Sequence, residues 1–142
     1  MFVENRNDAR EFFYQVWDKT CFKQPLEPIE MIISGIILEH PEYHIYLEDR
    51  ESFIESDFSV DQGQTNPFLH MGMHIALKEQ INTNRPKGIS TIFNTILTKS
   101  GSIHDAEHKM MECLGRSLWV AQRNNTLPDE AEYLDCLRRI NK

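Results

Sequence analysis

Apolar residues recur along this chain at intervals of three and four, the period of a helix laid against a core. No stretch alternates apolar and polar at the period of two that a half-buried strand requires. Phe12, Phe13, Val16 and Trp17 form the first stripe, and Asp8 with Glu11 has capping-box spacing, which predicts a helix from Asp8 to about Lys19. A second helix opens at Pro28, whose fixed φ suits a first helical position, and carries Ile29, Ile32, Ile33, Ile36 and Ile37. His40 prolongs that stripe until Pro41 interrupts it. The residue before a proline is pushed out of the α region, so His40 ends the helix or caps a short new one through Tyr43, His44 and Leu47.

Residues 48–65 read as a long polar connection, with turn chemistry at Asp61, Gly63, Gln64 and Thr65 and one short helical piece near Ser52 to Ser56. A connection of that length is uncommon unless it covers something, and it is the candidate lid of any site beneath it. Asn66 and Pro67 supply a cap and first turn for a helix to about Ile81. Pro86 begins another that stops near Gly101, and Ser102 with Asp105 opens a long one through Gln122. Pro128 opens the last, with Ala131, Leu134, Leu137 and Ile140 as its apolar positions. The pattern predicts an all-α protein, a compact bundle of five to six helices in one domain over residues 1–142.

Composition supports this and narrows the function. At 142 residues the chain can bury one core, and its 40% hydrophobic and 26% charged content is ordinary for a globular protein. The longest apolar stretch, Met31 to Leu38, is far too short to span a bilayer, and the first residues lack the apolar core of a secretory signal. Cys21, Cys113 and Cys136 are odd in number and lack CxxC spacing, which argues against a disulfide framework or a thiolate zinc site and for buried, inert thiols. A cytoplasmic location is expected. Ten of the 22 acids lie between Glu27 and Asp61 against the single base Arg50, within a net charge of −7. Such a segment repels phosphate, so nucleic acid is not expected as a partner, nor is a membrane. It is either a solvated face or a docking surface for a basic protein partner, with a homo-oligomer also open.

The candidate chemistry lies in the histidines. All six fall into pairs four residues apart: His40 and His44, His70 and His74, His104 and His108. On a helix that spacing puts two imidazoles on one face about 6 Å apart, a chelating geometry. Random placement would give about 0.2 such pairs, and three roughly once in a thousand chains. His70 and His74 run on to Leu77 and Ile81, and His104 and His108 to Met111 and Leu118, so both pairs lie along stripes that face the core. Each buried ring atom left without a partner costs about 2 to 7 kcal/mol, and a bound cation removes that cost. His70, His74, His104 and His108 are the expected ligands, followed by His40 and His44, with Glu112 as a carboxylate ligand or orienter one turn beyond His108.

Imidazole and carboxylate donors suit a transition metal such as zinc or iron. The Glu-x-x-His of di-iron carboxylate bundles and the His-Glu-x-x-His of zinc proteases are both absent. So are a Gly-rich phosphate loop, a Gly-x-Ser-x-Gly elbow and an EF-hand pattern, and no nucleotide cofactor is expected. Met71, Met73, Met110 and Met111 are expected as core fillers.

The stretches HPEYH at 40–44, GQTNPFLHMGMH at 63–74, HDAEHKMMECL at 104–114 and LWVAQRNNTLPDEAEYLDCLRRI at 118–140 resemble the bacterial family known as domain of unknown function 1841. The resemblance implies a small helical bacterial protein and carries no activity, substrate or cofactor onto these residues. Two readings follow from the sequence: a metal-binding helical bundle with a histidine-rich site, or a non-enzymatic protein–protein interaction module whose histidines are hydrogen-bonded core groups.

Overall fold

A computed structural model describes residues 6–56, 58 and 66–140. Eight α-helices and no strands are found among them: α1 (Arg6–Cys21), α2 (Pro28–Leu38), α3 (His44–Glu48), α4 (Arg50–Phe53), α5 (Pro67–Thr83), α6 (Ile89–Ser100), α7 (Ile103–Asn124) and α8 (Glu130–Ile140). A 3₁₀ turn over Pro41–Tyr43 joins α2 to α3. The all-α class is as expected, and the count exceeds five to six because the His40 to Ser56 stretch breaks into several short helical pieces. Residues 59–65, with the expected turn residues Asp61, Gly63, Gln64 and Thr65, lie outside the described part, so the lid expectation does too. Among the described residues no helix is long and apolar enough to cross a membrane.

Contacts along the chain divide it into two units, 1–75 and 76–142, with the boundary inside α5. In the first unit α1 packs on α2 and α3. Its core holds Phe13, Val16 and Trp17 of α1, the three fully buried isoleucines Ile33, Ile36 and Ile37 of α2, and Phe68, Met71 and Ile75 of α5. Burial of each such isoleucine stabilises by about 1.5 to 3 kcal/mol, so the stripe on α2 is a main reason that helix is held. Its start is reinforced by a reciprocal capping box in which Glu30 accepts from the Glu27 amide at 2.8 Å. Glu30 also pairs with Lys19 at 2.8 Å, tying α2 to α1.

Asp8, expected as a cap, instead lies in the first turn of α1, where a carboxylate faces the positive end of the helix. The residue that organises the next segment is Arg10, buried at 2% exposure. Its Nη1 donates to the carbonyls of Phe53, Ile54 and Ser56 at 3.2, 2.9 and 2.7 Å, tying α1 to the end of α4 and the backbone that follows it. The guanidinium also covers the rings of Phe58 and Phe68.

In the second unit α6, α7 and α8 pack on one another. Ile89, Ile92 and Ile96 of α6, Met110 and Leu114 of α7 and Leu137 of α8 are buried. The helix expected from Pro86 begins at Ile89 instead, because the Asn84 side chain accepts from the amides of Gly88 and Ser90 and shapes a turn around Gly88 at φ 99°. Gly101, at φ 87°, closes α6 as its position suggested, and the Ser102 side chain caps α7 by accepting from Asp105. The last helix starts past Pro128, with Asp129 accepting from the Glu132 amide, and its buried residues are Tyr133 and Leu137. Ala131 is exposed and Leu134 and Ile140 only partly buried, so the inward face is rotated from the expected one.

One expectation fails outright. Cys113 and Cys136 form a disulfide joining α7 to α8, and the free Cys21 is exposed rather than buried. The partners lie 23 residues apart on two helices, a pairing that no local spacing encodes. Bridges of this kind are typical of oxidising compartments, which removes the cysteine argument for a cytoplasmic location.

Candidate metal centre

Pro41 decides where His40 and His44 go. It stops α2 at Leu38 and leaves His40 at φ −126°, ψ 66°, outside any helix, so the first pair never stacks as a helical ladder. His40 turns inward at 1% exposure, and its Nδ1 lies 2.7 Å from the carbonyl of Ile36. A carbonyl only accepts, so in the neutral ring Nδ1 carries the proton and Nε2 presents a lone pair. His44 points elsewhere: its Nε2 donates to the carbonyl of Ile37 at 2.9 Å and its ring packs on Trp17 with centroids 4.4 Å apart. That is a satisfied structural histidine.

On α5 the expected one-turn stacking holds. The Asn66 side chain accepts from the amides of Phe68 and Leu69, fixing the first turn from which His70 and His74 project. Their rings are 5.0 Å apart, and His40 lies 5.0 Å from His70 and 4.7 Å from His74 between centroids. Tyr43 stacks on His40 at 5.4 Å with planes 5° apart and meets His70 edge-on at 5.6 Å. Burial pushes the Tyr43 hydroxyl above its ordinary pKa, with Glu42 adding to the shift, so it remains protonated. His74 is fully buried and His70 partly so. On α7, His104 and His108 are partly buried with ring centroids 4.1 Å apart.

His40, His70 and His74 thus gather in the first unit, and His104 with His108 form a histidine pair in the second. His44 stands apart from the first group, with its ring on Trp17. Glu112 is exposed. The acid buried on this helix is Glu107, at 2% exposure, which pairs with Lys78 of α5 at 2.9 Å.

By periodicity His40 ranks below the two helical pairs because Pro41 spoils its ladder, yet the same proline is what turns it inward. Tyr43, in the same HPEYH stretch, carries no signal in the sequence because a lone aromatic has no ligand signature. No curated protein and no solved structure matches the chain significantly. The family model described as domain of unknown function (DUF1841) matches residues 5–139, nearly the whole sequence and all the histidine motifs, and the chain belongs to that family.

Proposed function

We propose that this is a metal-binding helical protein in which His40, His74, His104 and His108 hold one transition-metal ion. What supports the reading is the gathering of His40, His70 and His74 with ring centroids 4.7 to 5.0 Å apart in the first unit, together with the His104–His108 pair at 4.1 Å in the second. His40 adds a second support, since a ligating histidine characteristically donates its other ring N–H to a carbonyl or carboxylate, as Nδ1 does here to Ile36. The packing of Tyr43 and His70 around His40 restricts the ring to few orientations. Four imidazoles without a thiolate or carboxylate suit zinc first and iron second, because iron sites more often combine histidine with carboxylates. A closed set of four protein ligands is the form of a structural site, so the reading assigns no catalytic residue.

Elemental analysis of untagged protein tests it. The expected result is about one zinc or iron per chain, falling to near zero in His74→Ala and strongly reduced in His108→Ala. Trace metal unchanged by both substitutions overturns the proposal. The second reading then stands, an interaction module, favoured by the exposure of Glu39, Glu42, Glu48, Asp49, Glu51 and Glu55 on one short stretch.

A further inference from the structure

The second unit carries a cavity of about 640 Å³ lined by residues of α7, α8 and the turn between them. The Cys113–Cys136 bridge forms part of its wall, together with Arg116, Arg139, Tyr133 and the acids Asp129, Glu132 and Asp135. Its volume lies within the range of small-molecule sites, about 300 to 1,000 Å³. Cys113 is buried at 3% exposure while Cys136 is partly exposed, so the two cysteines differ in burial. Both arginines sit one turn beyond a cysteine on its own helix, and a nearby cation favours the thiolate that bridge opening would release.

We infer that this cavity is a thiol–disulfide exchange site for a small zwitterionic thiol, one that carries carboxylates and an ammonium group. The incoming thiolate attacks Sγ of Cys136, the less buried cysteine, forming a mixed disulfide and breaking the bridge, with Cys113 leaving as a thiolate. A second small thiolate then attacks the ligand's sulfur in the mixed disulfide, releasing the oxidised small disulfide and Cys136 thiolate. Two small thiols supply the two electrons, and solvent returns protons to the cysteines. Arg116 and Arg139 give the carboxylates of the ligand a counter-charge, and Asp129, Glu132 and Asp135 give one to its ammonium. The two helices do not depend on the bridge alone: Leu137 is fully buried, and the Tyr133 hydroxyl donates to Gln80 at 2.7 Å. Opening is therefore local.

Cys21 provides an internal control. It is exposed, and desolvation together with the carboxylates of Asp18 and Glu48 raises its pKa, making it a poor thiolate. The test treats folded wild-type protein with millimolar reduced glutathione and treats Cys113→Ser with oxidised glutathione, then maps adducts by peptide mass spectrometry. Expected are bridge opening in the folded wild type and thiolation of Cys136 about tenfold faster than of Cys21. Arg116→Gln with Arg139→Gln should lower the rate with oxidised glutathione more than the rate with neutral hydroxyethyl disulfide. A bridge that stays intact until the protein is unfolded overturns the inference. So does labelling of Cys21 equal to that of Cys136, or an arginine effect identical for both reagents. If Cys113→Ser does not fold, the wild-type reduction alone decides.

Discussion

His44 and His74 began as equivalent members of equally spaced pairs, and their surroundings separate them. His44 has its Nε2 committed to the Ile37 carbonyl and its ring to Trp17. His74 is fully buried with its ring 4.7 Å from that of His40, and it is a proposed ligand. His44→Ala should cost about 2 kcal/mol, the sum of a lost hydrogen bond and an aromatic contact, while leaving the metal content unchanged. Urea titration paired with elemental analysis checks both halves. Loss of metal in this variant would place His44 among the ligands, as its spacing alone suggests. At this scale the sequence shows which residue types can chelate, but the direction of a ring outside a helix depends on φ and ψ around Pro41, which periodicity does not contain.

At the scale of elements, the sequence carries those signals whose partners lie within a turn or two. Pro28, Asn66, Gly101 and Ser102 mark helix ends, as their chemistry requires, because a cap involves only residues within one turn. Arg10 was invisible for the opposite reason: its acceptors are more than 40 residues away in sequence. The bridge between α7 and α8 and the rotated face of α8 were missed for the same cause, since both depend on which helix lies opposite. Glu30 unites local and distant partners, closing the capping box of α2 and pairing with Lys19 of α1. The Lys19 hydrogen bond first, and the Glu27 amide second, hold its carboxyl below the ordinary value of 4.5. A carboxyl depressed in the folded state stabilises it above the unfolded pKa, and that contribution disappears as pH falls through the folded-state value. Stability of the wild type should therefore decline below about pH 4.5, and Glu30→Gln should flatten part of that decline while lowering stability at pH 7. Denaturant midpoints measured from pH 3 to 7 read the difference, and parallel curves would show that Glu30 carries none of it.

For the molecule as a whole, the proposed ligands come from positions 40, 74, 104 and 108, with about 30 residues between successive segments. A ligand that binds only the native state adds about 4 kcal/mol when present at a thousand times its dissociation constant. For a chain of this size that amounts to a melting shift of about 10 °C. Removing the ion with a chelator should thus lower the melting temperature by about that amount, reversibly on adding zinc. Hydrogen exchange says where the loss falls. If the four histidines share one ion, the end of α2, the first half of α5 and the start of α7 should lose protection together, while α8, held by Leu137, Tyr133 and the bridge to α7, should change least. Loss of protection confined to α7 would mean that His104 and His108 bind metal by themselves, and the role of His40 and His74 would reduce to packing. The two patterns differ in the behaviour of α2, whose fully buried isoleucines otherwise keep its amides closed whether or not metal is present.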